Sequence, residues 1–191
     1  MTSIVEVKLE QVDLTGEKLS VEYRVTNRGD APAYVVSLLC QGWDEEDRPM
    51  LDSEGVYRRL EDDRLIVART IIPVPPDIDL EVVQYPLFQK LEPKASLEES
   101  FALELPTCEY SPHDYEDADV APEAIEIPWS LEIGFVELSD LAAVSPVKCQ
   151  AADGTQAFQI FAFNPQWLQV TRVASDRSLL LYPPAAAPDA Q

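Results

Sequence analysis

Four carboxylates crowd one short stretch of the chain: Asp114, Glu116, Asp117 and Asp119. Carboxylates are hard oxygen donors, and Ca²⁺ gathers about six to eight such ligands. The spacing matches no EF-hand loop, so the calcium reading rests on charge density. It competes with a plain solvated face. A zinc reading draws on softer donors. Cys40, Cys108, His113 and Cys149 together have the stoichiometry of a closed tetrahedral site. No CxxC hook supports it, which places zinc behind Ca²⁺, and no organic cofactor is expected. His113 is the only histidine, so any imidazole chemistry must use it. A Cys108–His113 dyad could in principle activate a thiol. The acids around it would raise the thiol pKa instead. No phosphate loop, nucleotide fingerprint or nucleophile elbow is present. These residues point away from an enzyme.

Charge narrows the partners. The chain has 35 acidic against 14 basic residues, a net charge of −21. Such a surface repels phosphate backbones and anionic membranes and attracts basic proteins and cations. Neither nucleic acid nor membrane is therefore an expected partner. A second acidic cluster, Asp44, Glu45, Glu46 and Asp47, directly follows Trp43. An aromatic beside carboxylates suits a protein interface, and these five residues are the candidate partner-binding set. A third cluster lies at 61–63. An acidic mimic of nucleic acid is a further alternative. The expected compartment is the cytoplasm. The three cysteines are odd in number, the first residues read as a strand rather than a signal peptide, and no apolar run nears the ~18 residues of a membrane span.

These residues need a scaffold, and the patterning supplies one. Leu19, Val21, Tyr23 and Val25 alternate with Ser20, Glu22, Arg24 and Thr26. Period 2 puts one set on each face of a strand. Asn27-Arg28-Gly29-Asp30 then reads as a turn. Val5, Val7 and Leu9 form an earlier strand, and residues 31–39 read as an apolar strand, central in its sheet. The clearest strand runs through Ile125, Ile127, Trp129, Leu131, Ile133 and Phe135, with Pro128 or Gly134 marking a bend or bulge. Trp129 is expected in the core. Residues 42–63 and 106–124 read as two long acidic loops. Residues 157–163 and 167–173 read as a closing hairpin across Asn164-Pro165. The expected fold is all-β, an antiparallel sandwich of about nine strands over residues 1–175, with a disordered Pro/Ala-rich tail at 176–191.

Two segments carry a resemblance. Tyr23-Arg24-Val25-Thr26-Asn27-Arg28-Gly29-Asp30 resembles the V-x-N-x-G-D-x-P hairpin of bacterial immunoglobulin-like sandwich modules, of the cell-adhesion-related and intracellular-proteinase-inhibitor types. Leu91-Glu92-Pro93-Lys94-Ala95-Ser96 resembles the L-x-P-G-x-S turn of the same modules, with Lys94 where they usually carry Gly. The resemblance implies an immunoglobulin-like sandwich and no particular site residue, because its motifs are turn and core formers. It also implies a narrower option, an intracellular proteinase inhibitor, for which no inhibitory loop is identifiable. The function expected is a non-enzymatic protein-interaction module. Its partner would be basic, or a second copy joined through an edge strand.

Overall fold

The computed structural model describes residues 3–52, 54–72, 87–110, 121, 123–137, 145–161 and 163–184. Among them the architecture is all-β, and one 3₁₀ turn, Pro165–Trp167, is its helical element. The strands are β1 (Val5–Leu14), β2 (Lys18–Asn27), β3 (Ala33–Val35), β4 (Leu39–Trp43), β5 (Pro49–Asp52), β6 (Tyr57–Glu61) and β7 (Arg64–Arg69). They continue with β8 (Leu87–Leu91), β9 (Ser96–Glu104), β10 (Ile125–Glu137), β11 (Val147–Gln150), β12 (Gln156–Gln159) and β13 (Gln169–Leu181). No helix among the described residues is long and apolar enough to cross a membrane.

One sheet has the order β1-β2-β9, and a larger one runs β11-β12-β8-β3-β10-β7-β6 with β13 also on β10. A two-stranded sheet, β4-β5, stands apart. Strand pairs are antiparallel except β7 with β10, which is parallel. Phe135 pairs with both Val35 and Gln169. A residue has one ladder partner on each side, so β3 lies on the edge of β10 opposite β13.

The alternating pattern explains the layering. Val5 and Val7 of β1, Leu19 to Val25 of β2, and Phe101 and Leu103 of β9 share one apolar core with Leu65, Val67 and the inward residues of β10. Trp129, Leu131, Ile133 and Phe135 are fully buried there. The two sheets thus face each other across this core, consistent with a β-sandwich. The far side of the larger sheet carries a second cluster of Tyr34, Val36, Phe88, Val136 and Ile160, with Phe163 and Trp167 packed on it.

β10 bulges against β13 between Pro128 and Ser130, where the ring of Pro128 can donate no ladder hydrogen bond. Gly134 has a different job. A methyl group there would sit 2.5 Å from Thr70 Oγ1 and 3.1 Å from Thr70 Cα. Gly134→Ala is therefore expected to destabilise by about 1–3 kcal/mol through overpacking, read as a lower urea midpoint, with part of the loss recovered by adding Thr70→Ala.

Several expectations are corrected. Residues 42–63 are not one solvated loop: they hold the end of β4, all of β5 and β6, and tight turns between them. Short strands rich in Arg, Asp and Glu lack the apolar alternation that reveals longer ones. These added strands raise the number among the described residues to thirteen, above the nine expected. Residues 31–39 form only the short β3 and the start of β4. Residues 157–163 and 167–173 are not a hairpin. β12 pairs with β11 and β8, while β13 pairs with β10. Asn164 Oδ1 accepts the Gln166 N–H at 3.0 Å and caps the 3₁₀ turn that redirects the chain between them. β13 also runs past residue 175 to Leu181, with Leu179 and Leu181 buried; the first part of the expected tail is a core strand.

Candidate functional site

Trp43 ends β4 and Pro49 begins β5, and the two are opposite each other in the hairpin. Residues 44–48 form its turn. Asp44 Oδ1 accepts the N–H groups of Glu46 at 2.9 Å and Arg48 at 2.8 Å. Its Oδ2 accepts Arg48 Nε at 2.8 Å and pairs with Nη2 at 2.7 Å. The N–H of Arg48, then its guanidinium, hold the Asp44 carboxyl below the usual range. Asp47 adopts φ 56°, a left-handed conformation that Asp tolerates better than most residues. Glu46 leans on Arg48 at 3.1 Å.

The predicted partner-binding set therefore divides. Asp44 is engaged in building the turn. Trp43 is 39% exposed, and Met50 is exposed nearby on β5. Glu45, Glu46 and Asp47 are exposed at the tip. A rigid turn thus presents an indole and carboxylates together.

The predicted calcium ligands Asp114, Glu116, Asp117 and Asp119 lie outside the described residues, as does His113. Among the described residues, Cys40, Cys108 and Cys149 are free thiols, each half-buried. No group of three Cys, His or acidic side chains among those residues is placed to hold a metal ion.

Two ionic centres escaped the sequence reading. In the first, Arg69 points into the core at the end of the Leu65-Val67-Arg69 face and is fully buried. Its Nη1 donates to Tyr23 Oη at 2.9 Å, the Ser37 carbonyl at 2.9 Å and Glu99 Oε2 at 3.2 Å. Nη2 donates to the Ser100 carbonyl at 2.9 Å, and Nε to the Gly55 carbonyl at 3.1 Å. The guanidinium thus ties β7 of one sheet to β2 and β9 of the other. Burial pushes the Tyr23 hydroxyl up to about 12. Burial also raises the Glu99 carboxyl, with Arg69 opposing it. The signal was present: Arg69 and Glu99 occupy core parity among Val, Leu and Phe, where an ionised group needs a partner.

Tyr23 and Glu99 also border an open hollow of about 430 Å³, shared with Glu10, Glu22, Glu54 and Glu98. Arg24 answers two of these acids, Glu98 at 2.7 Å and Glu10 at 3.5 Å.

Comparison with protein-family models, with curated proteins and with solved structures gave no match. What the chain does must come from its own residues.

The second centre is on the far face of the larger sheet. Glu132, 2% exposed, stands opposite Arg172 of β13 on one side and Ala68 of β7 on the other. Arg59 of β6, opposite Ile66 of β7, reaches diagonally to Glu132. Arg59 Nη2 lies 3.0 Å from both Glu132 oxygens, and Arg172 Nη2 lies 2.6 Å from one. Glu61 closes the ring onto Arg172 at 3.0 Å. The node joins β6, β10 and β13 and is charge-balanced.

The outer edge of β6 is covered. Arg58 and Tyr110 exchange backbone hydrogen bonds at 2.9 and 2.8 Å, and Glu109 Oε1 accepts the Leu60 N–H at 2.6 Å. Arg58 also lies 5.0 Å from the centroid of the Tyr110 ring. A covered edge resists unwanted pairing.

Proposed function

We propose that the protein is a non-enzymatic interaction module, an immunoglobulin-like sandwich acting in the cytoplasm, whose β4–β5 hairpin engages a basic protein partner. The observation that carries this reading is Trp43, half-exposed beside a turn held rigid by Asp44 and bordered by Glu45 and Asp47. Pre-ordered turns lose little conformational freedom on binding. Exposed tryptophans are the residues from which interfaces draw most energy. The net charge of −21 favours a basic surface and speeds its approach. The ionisable groups buried at Arg69 and Glu132 are hydrogen-bonded within the fold, which supports a structural rather than catalytic role for them. The immunoglobulin-like assignment is supported by the two motif turns, at 27–31 and 91–96, which meet through Asn27.

The test is chemical cross-linking in lysate of the source cell at low and high salt, with wild type, Trp43→Ala and Glu45→Lys. A basic partner is expected to be captured by wild type at low salt and lost at high salt. Trp43→Ala should weaken that partner by about tenfold or more, and Glu45→Lys should slow its association. Capture equal in all three proteins would remove the hairpin from the interface.

A further inference from the structure

Cys40 and Cys149 lie far apart in sequence, on two different hairpins. Cys40 sits on β4 opposite Leu51 of β5, two residues from Pro49. Cys149 sits on β11 opposite Ala157 of β12, three residues before Ala152. The hairpins meet at a backbone hydrogen bond, Ala152 N–H to the Pro49 carbonyl, at 3.0 Å. The turn that presents Ala152 is itself closed, with Ala151 N–H on the Thr155 carbonyl at 2.8 Å and Gly154 N–H on the Ala151 carbonyl at 2.9 Å. Each thiol is half-buried, and Cys40 is near enough to Cys149 to act on it electrostatically. We propose that Cys40 and Cys149 form a vicinal thiol pair, a redox-modifiable site at which a disulfide staples the β4–β5 hairpin to the β11–β12 hairpin.

The third thiol has other surroundings. Cys108 lies in the segment laid along β6, and its carbonyl accepts Arg58 Nε at 2.8 Å. The selectivity of the pair therefore comes from the fold.

Burial raises both the Cys40 and Cys149 thiols, and Cys149 is raised further by the nearness of Cys40. Cys40 Sγ also donates to the Gly42 carbonyl at 3.1 Å. Thiols of this kind are largely protonated at neutral pH, so exchange is slow there and quickens as the solution becomes alkaline.

The oxidant is a small-molecule disulfide such as oxidised glutathione. One protein thiolate attacks a glutathione sulfur, forms a mixed disulfide and releases one glutathione thiolate. The second protein thiolate attacks the protein sulfur of that mixed disulfide and releases the other glutathione. The protein loses two electrons and two protons, and one glutathione disulfide becomes two glutathione thiols. The pairing stands without the proposed function. Its consequence for binding rests on that reading, because Cys40 shares β4 with Trp43.

The test treats the full chain with oxidised glutathione at mildly alkaline pH, then alkylates remaining thiols and maps the peptides by mass spectrometry. A Cys40–Cys149 disulfide with Cys108 alkylated is the expected result. Cys108→Ser should leave that bond unchanged, and Cys40→Ser should give a mixed glutathione disulfide at Cys149. A dithiol cross-linker that fluoresces only after bridging two thiols offers a second readout on the wild-type chain. Glutathione carried separately on both cysteines, or a bond that includes Cys108, would overturn the proposal. Partner capture that is unaffected by a confirmed disulfide would count against the hairpin as the binding surface, while leaving the thiol pair intact.

Discussion

Arg69→Met is expected to lower the unfolding free energy by about 3–5 kcal/mol, the usual cost of removing one member of a buried ion pair. The side chain is fully buried, and its loss strands the Ser37, Ser100 and Gly55 carbonyls, the Tyr23 hydroxyl and the Glu99 carboxylate. Arg69→Lys should recover little, because an ammonium cannot span acceptors spread over two sheets. Urea denaturation at fixed pH measures both; a shift within experimental error in Arg69→Met would show that the clamp is dispensable.

The same variant has a signed pH signature. Burial holds the Glu99 carboxyl above its ordinary value of 4.5 in the folded protein. A carboxyl with a raised folded pKa binds its proton more tightly folded than unfolded. Its contribution to stability is therefore largest in acid and falls as pH rises from the ordinary glutamate value through the folded one. Arg69 opposes the shift, so Arg69→Met raises Glu99 further and widens that window upward. The variant should regain stability on mild acidification to a greater extent than wild type, and Glu99→Gln should abolish the difference. Melting temperatures across pH 4.5–8, chosen from that direction of shift, decide it.

Asn27→Ala is expected to cost about 2–4 kcal/mol, since several buried backbone groups lose their partner together. Asn27 is fully buried at the end of β2. Its Nδ2 donates to the carbonyls of Ala31 at 2.8 Å and Leu91 at 3.0 Å, and its Oδ1 accepts Gly29 N–H at 2.9 Å. Its own backbone binds Ala95 and Lys94 at 3.0 Å each. One side chain thus locks two turns, and Asn27→Asp should not substitute, because a carboxylate cannot donate to Leu91. An equal urea midpoint for Asn27→Ala and wild type would refute the lock.

Those two turns show how far the chain was legible. Asn27-Arg28-Gly29-Asp30 and the turn at 91–96 stood out as local patterns, but only folding brings them together. Lys94 replaces the usual Gly and takes φ 63°, so the turn keeps its left-handed residue without glycine. Its Nζ bonds the Arg28 carbonyl at 2.6 Å and Asp30 at 2.8 Å, which compensates the strain. β10 was readable because six apolar side chains alternate along it. β6 was not, because its cover comes from neighbours such as Tyr110 rather than from its own composition. The parity of Arg69 was visible; the acceptors that folding gathers around it, from β2, β9 and the segments at Ser37 and Gly55, were not. Trp43 was chosen from its acidic neighbours, yet the role of Asp44 depends on a bond to Arg48 that spacing alone leaves open.

β10 draws its neighbours from both directions along the chain. β3 and β7 precede it, while β13, which lines its other edge from Ile125 to Phe135, follows. On a ribosome, β10 must therefore emerge with one flank bare, and with Ile125 and Ile127 lacking their ladder partners Leu181 and Leu179. The nascent chain carries an open strand edge until the last of β13 is made, and it is in that interval that a holding chaperone would matter most to its yield.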